Sequence, residues 1–142
     1  MVVSNHFINN SLNFLKCFKG TFSCNNLPSL KECSRKIFIV NLDTMMGAGT
    51  HFIFLEIDKH KCFYFDPLGF SLKNKFIKKY LSSLGITKVK TLNKQIQSFN
   101  SSACGLFTIC ICVARCFFID WRKILSFFSK NNLVLNEKKK HS

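Results

Sequence analysis

The sequence predicts one domain of mixed helices and strands, and three observations carry that reading. Residues 51–58 and 61–66 are two runs rich in β-branched and aromatic residues, separated by very few positions, which is the signal of a β-hairpin. Residues 103–119 form a long apolar stretch entered from a polar loop, as a buried helix would be. A length of 142 residues, 47% of them hydrophobic and only two of them proline, supports a single sizeable core. The apolar stretch is short for a membrane span and carries Arg115, so a core helix is the better reading.

In chain order, residues 7–18 place Phe7, Ile8, Leu12, Leu15 and Phe18 at roughly helical spacing, with Gly20 as the stop. Asn25-Asn26-Leu27-Pro28 reads as a turn, 36–41 as a strand, and 45–50, with Gly47 and Gly49, as a flexible loop. In the hairpin, a two-residue turn at Asp58-Lys59 sets His51 directly across from Asp66, whereas a loop over 58–61 pairs His51 with Leu68. Both registers stay open. Apolar residues occupy most positions on both faces of these strands, so the hairpin is expected to be covered on both sides.

Residues 71–84 read as a helix capped by Ser71, with Leu72, Phe76, Tyr80, Leu81 and Leu84 inward and Gly85 ending it. Lys73, Lys75, Lys78 and Lys79 lie on its outer face, and Lys88, Lys90 and Lys94 follow. Residues 86–92 form a further strand leading to Gln97, residues 121–129 a last amphipathic helix, and 136–142 a basic, frayed tail. No internal repeat and no glycine-rich phosphate loop is present.

Lys and Arg total 21 against seven Asp and Glu, a formal net charge of +14, which implies an anionic partner such as nucleic acid. Membrane surfaces and acidic proteins fit the same charge. The abundance of Phe, Lys, Asn and Ile is also what an A/T-rich genome produces, which discounts the charge as a functional signal. The eight cysteines, at 17, 24, 33, 62, 104, 110, 112 and 116, follow a start with no secretion signal, so an intracellular, reduced protein is expected. None of them shows zinc-site spacing, and no metal is expected.

The chemistry concentrates at Cys104. A cysteine at a helix N-terminus faces unpaired backbone N–H groups and the positive end of the helix dipole, which favour the thiolate. Asn100, Ser101 and Ser102 are available as caps, and Gly105 allows close approach of a substrate backbone. Gln97, seven residues upstream, offers a side-chain amide to an oxyanion. A buried cysteine at a capped helix start is equally an ordinary core residue. His51, Asp66, Gln97 and Cys104 together, each at the end of a predicted element, make the set a cysteine hydrolase needs: base, orienter, oxyanion donor and nucleophile.

At these residues the chain resembles the adenovirus-type cysteine endopeptidases, adenain and its relatives. Gly49-Thr-His51-Phe is similar to that family's Gly-x-His-Trp segment. Cys62-Phe-Tyr-Phe-Asp66-Pro-Leu-Gly-Phe70 resembles its Cys-Tyr-Leu-Phe-Asp/Glu-Pro-Phe-Gly-Phe, and residues 97–107 resemble its Gln-Gly-Pro-Asn/Asp-Ser-Ala-Ala-Cys-Gly-Leu-Phe. Fainter similarity at 18–22, 39–41 and 124–128 extends it over nearly the whole chain. The resemblance implies an α+β papain-like fold of the adenain type, shared with SUMO- and ubiquitin-like-protein proteases: a central mixed sheet flanked by helices, with the nucleophile at the N-terminus of a buried helix. It implies catalytic His51, Asp66 and Cys104 with Gln97 as oxyanion donor. It also implies a viral protease, acting in the host nucleus and the virion, that cleaves capsid and core precursor polypeptides after glycine-containing motifs; nothing in the sequence demands an oligomer, so a monomer is expected. No cofactor is needed for the chemistry, no membrane is involved, and DNA and a disulfide-linked peptide are the activators the family uses. Lys73, Lys75, Lys78, Lys79, Lys88 and Lys90 are then the DNA-binding candidates.

The chain departs from the family pattern in four places. Phe52 stands where the family has tryptophan, and Ser98-Phe99 where it has Gly-Pro. Residues 86–92 lack the cysteine that holds the peptide activator in adenain, and the chain is shorter after Cys104. Two alternatives remain: a protease that removes a ubiquitin-like modifier with the same four residues, and an inactive, basic nucleic-acid-binding virion protein.

Overall fold

The computed structural model describes residues 4–30, 35–43, 51–97 and 103–128. Five strands, β1 (Phe18–Ser23), β2 (Lys36–Asn41), β3 (Phe52–Asp58), β4 (Lys61–Phe65) and β5 (Lys88–Thr91), form one sheet in the order β1-β2-β3-β4-β5. The outer pairs β1–β2 and β4–β5 are parallel, and the central β2–β3–β4 ladder is antiparallel. Four helices, α1 (Asn5–Leu12), α2 (Lys75–Ser83), α3 (Cys104–Cys116) and α4 (Trp121–Phe127), complete an α+β fold.

Strand alternation divides the core in two. Ile37, Ile39, Phe52, Phe54 and Phe65 face α1, α3 and α4, meeting Ile8, Leu12, Phe107, Ile111, Trp121 and Ile124. Phe38, Val40, Ile53, Leu55 and Tyr64 face α2 through Ile77 and Leu81. A sheet covered on both sides explains why β2 and β3 read as continuous apolar runs. Trp121 packs edge-on against Phe54 at 5.4 Å and tilted against Phe63 and Phe65, fastening α4 to the centre of the sheet.

One carboxylate lies on the face of the central strand that α3 covers. Glu56 is buried and paired on both oxygens: Arg115 of α3 donates through Nε at 2.8 Å and Nη2 at 2.9 Å, and Arg35 donates through Nε at 2.9 Å. Arg115, the charge that argued against a membrane span, thus clamps the C-terminal end of α3 to β3. Among the described residues no helix is long and apolar enough to cross a membrane.

Several local expectations are corrected. The first helix is shorter than the 7–18 reading, and Phe18 to Ser23 form the parallel edge strand β1 instead. Gly20, φ +134°, lies within that strand at a register shift, not after a helix. In the hairpin, Asp58 pairs with Lys61, so the turn is Lys59-His60, with Lys59 at φ +56°. The α2 cap is Asn74, whose Oδ1 accepts from Phe76 N and Ile77 N. Ser71 lies three residues upstream. Ile77, absent from the expected inward set, is fully buried. Lys94 leaves the basic group: its Nζ donates to the carbonyls of Leu125 and Phe128 and so closes the C-terminal end of α4. Cys17 and Cys116 form a disulfide across 99 residues, with Cα atoms 6.4 Å apart, where a fully reduced set was expected. That pairing depends on the last residue of α3 meeting the residue before β1, which cysteine spacing along the chain does not encode. The loop 45–50, the capping residues Asn100, Ser101 and Ser102, and the tail 136–142 lie outside the described residues.

Candidate active site

The site lies where β3 begins, β4 ends and α3 starts. His51 immediately precedes β3 and Asp66 immediately follows β4. The backbone ladder continues past the strand, since Leu42 N donates to His51 O at 2.9 Å, so the histidine's main chain is fixed by β2. Its Nε2 is 2.9 Å from Asp66 Oδ1. Asp66 is only 2% exposed, and the same oxygen also accepts from Leu68 N at 2.8 Å. A carboxylate held by a backbone donor and withdrawn from water is a fixed acceptor, and it sets the imidazole's orientation and tautomer.

Cys104 is the first residue of α3 and is 3% exposed. Ala103, at the cap position, carries no side-chain oxygen to satisfy the first-turn N–H groups of the helix. Phe52 N donates to Cys104 Sγ at 3.4 Å, a main-chain contact that sequence reasoning did not anticipate because it depends on no residue type. The Cys104 sulfur lies near enough to the His51 imidazole to act on its charge, as Asp66 does. With Nε2 engaged by the carboxylate, Nδ1 is the nitrogen left for the sulfur. Burial alone lowers the imidazole pKa. The hydrogen bonds and charges of Asp66 and Cys104 outweigh it and raise the pKa from 6.5 to about 9. At neutral pH that shift favours the protonated ring, which lies beside the sulfur.

Gln97 is buried at the end of the segment that follows β5, and its main chain is tethered next to the carboxylate. Ile96 N and Gln97 N both donate to Pro67 O, at 2.9 and 3.0 Å, and Gln95 Nε2 donates to Gln97 O at 2.9 Å. The structure thus brings His51, Asp66 and Cys104 together, the first two hydrogen-bonded, and holds Gln97 on the residue after Asp66. Lys73, Lys75, Lys78, Lys79, Lys88 and Lys90 stand apart from this group, all exposed, on α2, the segment before it and the sheet-edge strand β5. Among the described residues no cluster of His, Cys, Asp or Glu could hold a metal ion.

The family model described as adenovirus endoprotease matches residues 18–137. No curated protein sequence matches the chain. Among solved structures, the ASFV pS273R protease superposes with a TM-score of 0.67 at 14% identity, over 99% of this chain and 66% of that one. AvrA gives 0.53 at 19% identity, over 93% of this chain and 53% of that one. The SUMO protease Ulp1 gives 0.46 at 18% identity, over 76% of this chain and 51% of that one. The chain spans about two thirds of the length of the pS273R protease, and the likeness to it is one of fold.

Proposed function

The chain belongs to the adenovirus endoprotease family, a family of cysteine proteases, and from that premise we propose that it is a viral endopeptidase in which Cys104 is the nucleophile. The observation that carries this reading is the grouping of Asp66, His51 and Cys104: a buried carboxylate 2.9 Å from an imidazole whose charge the cysteine opening a buried helix also influences.

In this mechanism the Cys104 thiolate, paired with the His51 imidazolium, attacks the carbonyl carbon of the scissile peptide. The carbonyl oxygen becomes an oxyanion, stabilised by N–H groups at the start of α3 and by the Gln97 amide. His51 gives its proton to the leaving amine as the C–N bond breaks, leaving an acyl-enzyme. It then takes a proton from the water that attacks the thioester, and loss of the carboxylic acid restores the ion pair. Asp66 holds the ring in one tautomer throughout. Phe52 N–H, pointing at the sulfur, stabilises its negative charge.

The substrates in this reading are capsid and core precursor polypeptides, cut after glycine-containing motifs during virion maturation in the host nucleus and the virion. The exposed lysines of α2 and β5 bind DNA, which stimulates cleavage. The net charge of +14 supports an anionic partner. A fluorogenic peptide ending in a hydrophobic-x-Gly-Gly motif tests the proposal. Cleavage by the purified protein, absent in Cys104→Ala and increased by duplex DNA, is the expected result. Equal cleavage by Cys104→Ala removes that residue from the chemistry.

A further inference from the structure

The residues that would orient the imidazole and stabilise the oxyanion are held by one turn. Residues 66–69 close with Gly69 N donating to Asp66 O at 2.7 Å and Leu68 N to Asp66 Oδ1 at 2.8 Å. The carbonyl inside this turn, on Pro67, accepts from both Ile96 N and Gln97 N. At the end of the turn Gly69 has φ +84°, and a Cβ there would lie 2.9 Å from Gln95 N and 3.1 Å from Gln95 Cα. Both neighbours are main-chain atoms of the segment that carries Gln97. Gln95 in turn holds the Gln97 carbonyl through its side-chain amide. Glycine is therefore required twice over, for the left-handed backbone and for the close packing of one chain segment on another.

We infer that Gly69 is a positioning residue for Gln97: its missing side chain lets the 95–97 segment lie against the turn, so that the Pro67 carbonyl fixes Gln97 relative to Asp66, and through Asp66 to His51. The inference rests on the peptidase reading of the site and deepens it. It couples the oxyanion donor to the imidazole through the main chain of one turn. A side chain at 69 displaces the 95–97 segment outward. A shift of about 1 Å in a catalytic group costs on the order of 10²-fold in rate.

The test is a double-mutant cycle on peptide cleavage with Gly69→Ala and Gln97→Ala, read together with Cys104 alkylation and amide exchange. Gly69→Ala is expected to lower kcat by on the order of 10²-fold with KM little changed. In the Gln97→Ala background it is expected to cost nothing further, within about twofold, because the group it positions is already gone. Alkylation of Cys104 at neutral pH is expected to stay near the wild-type rate, since the His51–Cys104 pair does not run through Gly69. Independent, multiplying costs overturn the inference, and so does a parallel loss of alkylation, which marks a general disturbance of the turn. Gln95→Ala, which removes the amide bound to Gln97 O without adding bulk, is expected to give the same pattern with a smaller size.

If the wild-type protein cleaves no peptide, the peptidase reading fails on its own, and hydrogen exchange at Ile96 and Gln97 still decides the coupling. Faster exchange of both amides in Gly69→Ala supports it, and unchanged protection overturns it.

Discussion

His51 and Asp66 are diagonal neighbours, not opposed ones, and their side chains nonetheless meet at 2.9 Å. The observed register pairs Phe54 with Phe65 and Asp58 with Lys61, so its continuation sets residue 68 opposite His51. Residue 66 is two positions away on the same face. Diagonal pairs on one face lie roughly 7–8 Å apart at the backbone, within reach of an imidazole and a carboxylate. The pair survives the register that looked least favourable to it because the two side chains lean toward each other where the ladder ends.

The raised pKa of His51 sets a pH dependence. A group whose folded pKa is above its unfolded value contributes stability that is fully present below the unfolded value, 6.5, and is lost as pH rises through about 9. Activity that needs the imidazolium should fall over the same upper range. Asp66→Asn removes a charge and weakens a hydrogen bond that together raise the pKa, so the basic limb of kcat/KM is expected to move to lower pH, with reduced but measurable activity. A basic limb unmoved in Asp66→Asn would mean that the carboxylate does not tune the ring.

Gln97→Ala is expected to lower kcat by roughly 10²–10³-fold, about 2.7–4 kcal/mol, with KM little changed, as loss of an oxyanion donor requires. A KM effect alone would instead make Gln97 a substrate-binding residue.

Glu56 gives a stability prediction away from the site. Burial raises a carboxyl pKa, but the hydrogen bonds and charges of Arg115 and Arg35 overcome it and hold Glu56 below its ordinary value. Its contribution is therefore present above the unfolded carboxyl pKa and lost as pH falls through the folded one. Glu56→Ala leaves two arginines facing each other in the interior and is expected to destabilise by about 3–5 kcal/mol. Chemical denaturation at neutral pH measures this, and a change within the error of the fit would mean that water already neutralises the cluster.

DNA stimulation, if it runs through α2 and β5, carries a salt signature. The logarithm of the DNA affinity is expected to fall linearly with the logarithm of salt, and Lys78→Ala or Lys88→Ala to reduce the slope by about one each. A slope unchanged by either substitution places the contact on another face.

The candidate site was legible because its residues are chemically distinctive and sit at element ends: Cys104 at a polar-to-apolar boundary, His51 and Asp66 at the limits of strand-forming runs. The core of the sheet was legible for a related reason, since β2, β3 and β4 are apolar on both faces. β1 was not, because Phe18-Lys-Gly-Thr-Phe-Ser carries a central glycine and follows helically spaced residues without a break. The cap of α2 was misplaced by three residues because Ser71 and Asn74 are both good caps, and only the packing of Ile77 chooses between them. Contacts through the main chain, Phe52 N to the sulfur and Pro67 O to Gln97, leave no trace in residue type. Neither does the Cys17–Cys116 pairing, which depends on tertiary proximity alone.

The most direct test of the central claim is the alkylation rate of Cys104 by iodoacetamide across pH, measured site by site in the native protein and in His51→Ala. Cys104 is expected to react faster at neutral pH than Cys24, Cys62, Cys110 and Cys112, none of them in a disulfide, and His51→Ala to abolish the advantage. Equal rates at all five thiols, or a Cys104 rate indifferent to His51, would contradict the thiolate–imidazolium pair on which the mechanism depends.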